Sequence, residues 1–258
     1  MLNITTLNQK KLIQLCQKAS KAILKYYKTD IQVHIKADQS PFTLADTASH
    51  DILTHELTKL YPDVPIISEE MTTQVDYETR KQWPEFWLVD PLDGSKEFIK
   101  QNDQFCIIIS LIQHNEPVFG LIYSPVSSLA FIATKGEGAY RIEGHKKVKL
   151  TKKCNHNDNL TIIGSLSHSS PEFESFVKEQ KKIANNIQVV QIGSALKFCK
   201  VAEGEADMYP RFVPTMEWDT AAGQLLVEEC GKTMIDCVTK QRLKYNKQNL
   251  KNNSFIVS

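Results

Sequence analysis

The chain has 258 residues, which is enough to bury a large core in one domain or in two closely packed lobes. Its 41% hydrophobic content is that of a globular protein and excludes a disordered chain. Because 31 Lys and Arg residues balance 30 Asp and Glu residues, no overall positive field would recruit nucleic acid or an anionic membrane. We therefore expect no nucleic-acid partner, and any attraction for phosphate must be local.

Neither the six cysteines nor the seven histidines form a recognisable ligand pattern. No two cysteines are spaced C-x-x-C, which predicts reduced core thiols rather than disulfides or a zinc site. The N-terminal residues lack an apolar signal region, and no later segment has the length to cross a bilayer. These features predict a cytoplasmic protein without a transmembrane segment. Peripheral association with the inner face of a membrane is neither required nor excluded by the chain.

In the first part of the chain, apolar residues recur at three- and four-residue steps over residues 7–27 and from about Leu44 to Leu60. This spacing predicts two amphipathic helices, the second ended by Pro62. Short apolar runs from Val64 to Ser68 and from Glu85 to Val89 predict two strands. Both strands deliver acidic residues at their ends.

From Gln104 to Val148, β-rich runs are separated by turn-forming breaks, which predicts an antiparallel meander. Strands and helices alternate beyond Leu160. Ser170 and Pro171 begin one of these helices, and Gly231 ends another. The predicted strands of this part lie at 160–165, 188–193, 207–209, 234–237 and 255–258, and its helices start at Pro171 or span 195–201 and 218–230.

The two parts of the chain predict two lobes of different fold class. Residues 1–155 are expected to form an α+β lobe with the antiparallel sheet and most of the candidate metal ligands. Residues 156–258 are expected to form an α/β lobe that supplies Asp219 and the nucleotide contacts. The boundary is predicted near Thr151 to Asn159, and no low-complexity linker or internal repeat marks it.

Acidic residues occupy the ends of several predicted elements, namely Glu69, Glu70, Asp90, Asp93 and Asp219. Each follows or opens an apolar segment, so folding could bring them to one edge of a sheet. Crowded carboxylates repel one another unless a cation lies between them. A cluster of oxygen ligands without His or Cys favours Mg²⁺ over zinc or copper.

The stretch D-P-L-D-G, residues 90–94, is suited to supply several oxygens from one turn. Pro91 fixes φ and donates no N–H, Gly94 permits a sharp bend, and the carbonyl of Leu92 can point the same way as the two carboxylates. Ser95 then begins a predicted short helix, whose free N–H groups are a natural seat for a phosphate oxygen. A metal beside a phosphate seat indicates phosphoryl transfer to water.

Each of these residues also has a structural interpretation. Asp-Pro and Asp-Gly form turns by bonding their own backbone, and Asp219 could simply cap its helix. Asp46 follows Thr43 at capping-box spacing, which leaves a helix cap and a catalytic partner as equal alternatives for its carboxylate. Only the complete set of acids favours a catalytic site.

These residues lie in motifs that resemble the magnesium-dependent, lithium-sensitive phosphatase superfamily that includes inositol monophosphatase. The matching pieces are IISEE (Ile66–Glu70), WLVDPLDGS (Trp87–Ser95) and WDTAAG (Trp218–Gly223). Within it the chain is most similar to the CysQ-type 3'(2'),5'-bisphosphate nucleotidases, and the likeness covers nearly the whole chain. That similarity lies in KADQSPFTLAD (Lys36–Asp46), KEFI (Lys96–Ile99), GSALKFC (Gly193–Cys199), VAEG (Val201–Gly204) and YPRF (Tyr209–Phe212).

The resemblance implies an alternating-layer αβαβα sandwich that hydrolyses adenosine 3',5'-bisphosphate to AMP and phosphate with two or three Mg²⁺ ions per site. One ion is implied to lie on Glu69, Asp90 and the carbonyl of Leu92. A second ion is implied to lie on Asp90, Asp93 and Asp219. Glu69 is implied to reach a third ion through water.

The resemblance also implies the groups that handle the attacking water and the substrate. Asp46 pairs with the hydroxyl of Ser95, beside Glu69, to orient and deprotonate water, and the backbone of Gly94 and Ser95 receives the phosphate. The family usually has Thr in place of Ser95, so the hydroxyl is retained without the β-branch that restricts χ1. Activity is expected to persist at a reduced level.

Substrate choice depends on residues from the nucleotidase-like segments. Lys197 and Arg211 are candidates for holding a second phosphate, Tyr209 for contacting the base, and Asp219 is placed beside the substrate. The alternative is an inositol monophosphatase or other sugar-phosphate phosphatase with the same metal site. A non-catalytic regulator that binds metal or nucleotide is a further alternative, which the complete set of acids disfavours.

Overall fold

The computed structural model describes residues 1–29, 33–35, 41–71, 75–151, 159–167 and 170–258. Cys154, most of the predicted lobe boundary and the KADQS part of one motif lie outside the described residues. The helices are α1 (Gln9–Leu24), α2 (Leu44–Leu60), α3 (Tyr77–Arg80), α4 (Ser95–Ile99), α5 (Pro171–Gln180), α6 (Leu196–Ala202) and α7 (Glu217–Glu229). The strands are β1 (Val33–Ile35), β2 (Pro41–Thr43), β3 (Ile66–Ser68), β4 (Glu85–Asp93), β5 (Cys106–Gln113), β6 (Glu116–Ser124), β7 (Leu129–Thr134), β8 (Gly138–Glu143), β9 (Lys146–Leu150), β10 (Asn159–Ser165), β11 (Asn186–Ile192), β12 (Tyr209–Arg211), β13 (Met234–Asp236) and β14 (Phe255–Val257).

A seven-stranded sheet in the order β3-β4-β5-β6-β7-β8-β9 forms the centre of the molecule. Strand β3 runs parallel to β4, and every later pair is antiparallel. The inner strands are buried along nearly their whole length, because both faces of the sheet are covered. Alternate residues therefore enter different cores: Trp87 packs on the side of α1 and α2, whereas Leu88 packs on the side of α7.

Further layers lie on both sides of this sheet. Helices α1 and α2 cover one face, and α7 with α6 covers the other. Beyond α6 and α7 lies a second layer of strands, in which the parallel pair β10–β11 meets the sheet β12-β14-β13 through a bridge between Ile162 and Met208. Helix α5 is outermost, with Phe173 against Gly164 of β10. This arrangement confirms the predicted αβαβα sandwich.

Most long elements are confirmed with small shifts of their ends. Helix α2 has the predicted bounds, and α5 begins with Ser170 as N-cap, its side chain accepting the N–H of Phe173. The short helix α3 and the antiparallel pair β1–β2 were not predicted, because three or four residues carry no periodic signal. At residues 90–94 the structure differs from the predicted turn, because strand β4 continues to Asp93.

Five cysteines are described as free thiols, four of them buried. The described helices include none that has both the length and the apolarity for a bilayer crossing.

Packing of α7 on the central sheet depends on a strand residue without a side chain. A Cβ on Gly120 of β6 would lie 2.7 Å from the Cα of Ala222. We expect Gly120→Ala to destabilise the fold by about 1–3 kcal/mol, because helix and sheet must separate. Thermal and urea unfolding measure this effect.

Gly164→Ala is the matched control in another strand. Its Cβ would lie 2.9 Å from the ring tip of Phe173 on the outermost helix, which can move aside. We expect a smaller loss of stability there, and equal losses at the two positions would contradict our account of the helix–sheet contact.

Candidate active site

Parallel pairing of β3 with β4 brings two predicted acids together. Ser68 lies opposite Val89, and the N–H of Glu69 donates to the carbonyl of Val89 at 3.1 Å. Glu69 and Asp90 therefore follow neighbouring positions of adjacent parallel strands, at the edge where such strands present binding groups. Glu70, the other acid of that pair in the sequence, is not among the residues that line the cavity described below.

A β-bulge in β4 places Asp93 beside Asp90. Asp90 pairs with Ile108 and Asp93 with Cys106, so two residues of β4 lie opposite the single residue Ile107 of β5, and β4 has one extra residue there. The N–H of Leu92 donates to Oδ1 of Asp90 at 3.0 Å, which fixes that carboxylate within the bulge. Both carboxylates and the carbonyl between them come from one short stretch, as the sequence predicted.

The chain turns into α4 at Gly94, whose φ of +94° is in the left-handed region. A Cβ there would also lie 3.1 Å from the carbonyl oxygen of Gln104, so the position requires glycine. The next residue, Ser95, donates its hydroxyl to Oδ1 of Asp46 at 3.1 Å and lies 3.3 Å from the carbonyl oxygen of Leu92.

The carboxylate of Asp46 caps its helix and also contacts Ser95, the residue with which the resemblance pairs it. Its Oδ2 accepts the N–H and the hydroxyl of Thr43, both at 2.8 Å, and so caps α2. Its Oδ1 accepts the hydroxyl of Ser95. Burial raises the pKa of Asp46, and these hydrogen bonds oppose the rise.

Helix α7 supplies the fourth acid, Asp219, from its first turn. Oδ2 of Asp219 accepts the N–H of Met216 at 2.8 Å, so this residue caps its helix as the structural interpretation held. The carboxylate also faces the same cavity as Asp90. A cavity of about 690 Å³ is lined by all the predicted metal, phosphate and nucleotide residues, that is Glu69, Asp90, Leu92, Asp93, Gly94, Ser95, Lys197, Tyr209, Arg211 and Asp219.

The acids of this cavity are hard to ionise together. Desolvation, and then the charges of the neighbouring acids, hold the pKa values of Asp90 and Asp219 well above the usual range for aspartate. Desolvation also raises the pKa of Asp93 to about 6, although the ammonium of Lys197 opposes the rise. Such a set gains from a bound cation, which would offset both desolvation and repulsion.

The donors present fit a magnesium site. Among the described residues, no three His, Cys, Asp or Glu side chains come close enough to enclose a metal ion by themselves. Mg²⁺ needs no such cage, because it keeps several waters and binds through one or two carboxylates together with substrate phosphate. Oxygen is the only donor type that the acids around this cavity offer.

Positively charged side chains line the cavity as well. Lys197 is buried, and its Nζ lies 5.5 Å from the centre of the Tyr209 ring. Desolvation lowers the pKa of Lys197 to about 8, so this side chain is still mainly cationic at neutral pH. Arg211 lines the same cavity, and its Nε is buried without a hydrogen-bond partner.

Several lining residues were not predicted from the sequence. Thr215, Met216 and Lys251 border the cavity near Asp219. Lys251 reaches the cavity because it pairs with Met216 in an antiparallel bridge. The two residues are 35 positions apart, so no local motif predicts their contact. Ser194 lines the cavity as well, in the GSALKFC motif from which only Lys197 was predicted.

Known proteins are similar to this chain in sequence and in fold. The model of the Inositol monophosphatase family matches residues 8–256. The 3'(2'),5'-bisphosphate nucleotidase CysQ of Shigella flexneri is 40% identical over 225 residues, or 86% of this chain and 88% of the relative. The crystal structure of CysQ from Bacteroides thetaiotaomicron has a TM-score of 0.85 at 36% identity and covers 98% of both chains. An IMPase/NADP phosphatase complexed with Mg²⁺ and phosphate shares the fold, with a TM-score of 0.77 at 18% identity over 96% of this chain and 89% of that chain.

The raised pKa values predict how the metal-free protein responds to pH. In the folded state Asp90, Asp93 and Asp219 retain protons that the unfolded chain releases above about pH 4. The stability that these protons provide is lost as the pH rises through the folded-state pKa values. We expect the melting temperature in chelator to fall by roughly 5 °C or more between about pH 4 and pH 7.

The variant Asp93→Asn separates this effect from other titrations. It should flatten the pH dependence and raise the melting temperature of the metal-free protein at neutral pH, because one buried charge is gone. Excess Mg²⁺ should stabilise the unaltered protein more at neutral than at acidic pH. Identical pH profiles for the variant and the unaltered protein would count against the electrostatic account.

Proposed function

The chain belongs to the inositol monophosphatase family, and we propose that it is a Mg²⁺-dependent 3'(2'),5'-bisphosphate nucleotidase that hydrolyses adenosine 3',5'-bisphosphate to AMP and phosphate. The observation that carries this proposal is one cavity that is lined by the acids Glu69, Asp90, Asp93 and Asp219 and also by the cations Lys197 and Arg211. The acids suit phosphoryl chemistry, and the cations suit a second anionic group. The CysQ relatives, similar over most of the chain, support the substrate class.

We assign the magnesium ligands as the family resemblance implies them. In this assignment Glu69, Asp90 and the carbonyl of Leu92 would hold one ion, and Glu69 would reach a third through water. Asp90, Asp93 and Asp219, which do not lie close enough together in this structure to hold an ion, would close around the second. When bound, magnesium lowers the pKa of the attacking water and neutralises charge on the phosphoryl and leaving oxygens. Support comes from the oxygen-only donors and from the Mg²⁺ in the fold relative.

The Asp46–Ser95 pair handles the proton of the attacking water. Ser95 donates to Asp46 at 3.1 Å, so its oxygen lone pairs stay available to accept a hydrogen bond from water. The carboxylate of Asp46 then accepts the proton through the hydroxyl, and Glu69 helps orient the water. Ser95 lacks the β-branch of Thr, but its contact with the Leu92 carbonyl also restricts its rotamer.

Other residues that line the cavity bind the substrate. The N–H groups of Gly94 and Ser95, at the start of α4, receive the phosphate that is cleaved. Lys197 and Arg211 hold the second phosphate, and the buried Nε of Arg211 gains a partner there. Tyr209 supports the base, although its ring also packs against Phe198.

The alternative is an inositol monophosphatase or another sugar-phosphate phosphatase. It leaves the buried Lys197 and the unpartnered Nε of Arg211 without a ligand, because a monophosphate would lie at the acids. A non-catalytic regulator is disfavoured because all four acids and the Asp46–Ser95 hydrogen bond are kept. The cytoplasmic location remains a prediction from the sequence, and the peripheral membrane association that the sequence left open gains no support from the relatives.

Substrate preference tests the proposal directly. We expect phosphate release from adenosine 3',5'-bisphosphate with Mg²⁺ to exceed release from inositol 1-phosphate by about a hundredfold in kcat/KM, since only the first substrate has a group for Lys197 and Arg211. Malachite-green assays on both substrates measure this, and added Li⁺ should inhibit, as the family resemblance implies. Faster turnover of the inositol substrate would overturn the assignment.

Asp93→Asn tests the metal assignment. The amide keeps an oxygen for the N–H of Ala195, which donates to Oδ2 of Asp93, so the fold should persist. We expect hydrolysis to fall by about a hundredfold or more, beyond the loss typical of an outer-shell partner. Asp63→Asn, at an exposed position away from the cavity, is the matched control and should keep full activity. Undiminished activity of Asp93→Asn would contradict the assignment.

A further inference from the structure

The last loop of the chain, residues 245–252, packs against the segment that enters α7; we call it the C-terminal loop. Met216 pairs with Lys251, the N–H of Glu217 donates to the carbonyl of Leu250 at 2.9 Å, and the N–H of Asn252 donates to the carbonyl of Thr215 at 2.8 Å. The backbone just before Asp219 is therefore bonded to this loop on both sides of Met216.

A buried ion pair fixes the C-terminal loop to α7. Glu217 is fully buried, and its Oε1 accepts Nζ of Lys247 at 2.7 Å. Its Oε2 accepts the N–H of Asn246 at 2.7 Å, and Arg80 donates to the side chain of Asn246 at 2.8 Å. Buried ion pairs contribute little net stability compared with apolar packing of the same volume. The role of this pair is better explained by the position that it fixes for the C-terminal loop relative to α7.

The ion pair presents the side chain of Asn252 to the first turn of α7. Nζ of Lys247 donates to Oδ1 of Asn252 at 3.0 Å, which orients the amide. Nδ2 of Asn252 then lies 2.8 Å from the carbonyl oxygen of Met216 and 3.0 Å from Oγ1 of Thr220. Asn252 is only 5% exposed. It thus bonds both Thr220, which follows Asp219, and Met216, which lies three positions before Asp219.

Met216 connects this network to the carboxylate itself. Its carbonyl accepts the amide of Asn252, and its N–H donates to Oδ2 of Asp219 at 2.8 Å. Because one carboxylate oxygen is held in this way, the orientation of the other toward the cavity depends on where Met216 lies. A shift of Met216 would turn the carboxylate of Asp219.

We propose that Asn252, oriented by the Lys247–Glu217 pair, is a positioning residue for Asp219 and sets the affinity of the cavity for its metal ion. This inference rests on the proposed function in one respect, namely that Asp219 is a magnesium ligand. It adds the C-terminal loop, which contains none of the predicted site residues, to the groups that determine metal binding.

Two variants test the role of the amide. Asn252→Ala removes its donors and its bulk, and Asn252→Leu removes the donors while filling the volume. Mn²⁺ is the probe, since it prefers the same oxygen ligands and is measured by electron paramagnetic resonance without substrate. We expect both variants to raise the dissociation constant for Mn²⁺ by about 10–100-fold. The Mg²⁺ concentration for half-maximal activity should rise by the same factor, with the substrate KM at saturating Mg²⁺ changed by less than about twofold.

Tyr245→Phe is the structural control. Tyr245 lies on the same loop, and its hydroxyl donates to Oε1 of Gln224 at 2.7 Å and lies 3.4 Å from Oγ1 of Thr220, so it bonds α7 at residues other than Met216. Its loss should lower the melting temperature and leave the Mn²⁺ dissociation constant within about twofold of the unaltered protein.

The outcomes separate the inference from the proposed function. Unchanged Mn²⁺ affinity in either Asn252 variant would overturn the positioning role, and so would an equal loss of affinity in Tyr245→Phe. A protein that binds Mn²⁺ with the expected losses in the variants but hydrolyses no bisphosphate would overturn the proposed function alone. Failure of the unaltered protein to bind Mn²⁺ would overturn both.

Discussion

Repulsion between carboxylates in one poorly solvated cavity is the constraint on which the rest of this structure depends. Asp90 is only 1% exposed. Desolvation raises its pKa, and the charges of Glu69, Asp93 and Asp219 raise it further. The ammonium of Lys197 lowers the pKa of Asp93 in compensation, and the pKa of Lys197 is itself lowered by burial. Proteins hold such acids either protonated or with a bound cation. The fold must therefore hold these acids in place while a bound cation replaces their protons.

Rigid backbone geometry provides that placement. Glu69 and Asp90 are neighbours because β3 and β4 pair in parallel, and Asp93 joins them because β4 contains a bulge. Asp219 comes from a helix whose backbone lies directly on the sheet, where a Cβ on Gly120 would strike it. None of these four positions depends on a long flexible side chain. Placement by backbone geometry limits how far these groups must move, which reduces the reorganisation that binding requires.

The long periodic elements and the set of acids could be predicted from the sequence, whereas their mutual arrangement could not. Helix α2 has its predicted bounds because seventeen residues give a clear helical pattern. The bulge between Asp90 and Asp93 is set by the register with β5, which Pro91 and Gly94 alone do not encode. The resemblance implied Glu69 and not Glu70, and parallel pairing supplies the physical reason why Glu69 reaches the cavity. Lys251 and Asn252 were missed because pairing between distant segments brings them to α7.

The sequence posed helix capping and catalysis as competing explanations for Asp46, and for Asp219 it posed capping against metal binding. A carboxylate has two oxygens, and the structure uses them separately. Oδ2 of Asp46 caps α2 while Oδ1 accepts the hydroxyl of Ser95, and Oδ2 of Asp219 caps α7 while the carboxylate faces the cavity. The cap is what aims the second oxygen, since a carboxylate fixed at one oxygen can rotate little. In this fold a helix start is therefore also a means of directing an acid, and a capping signal in the sequence gives no reason to exclude the residue from the chemistry.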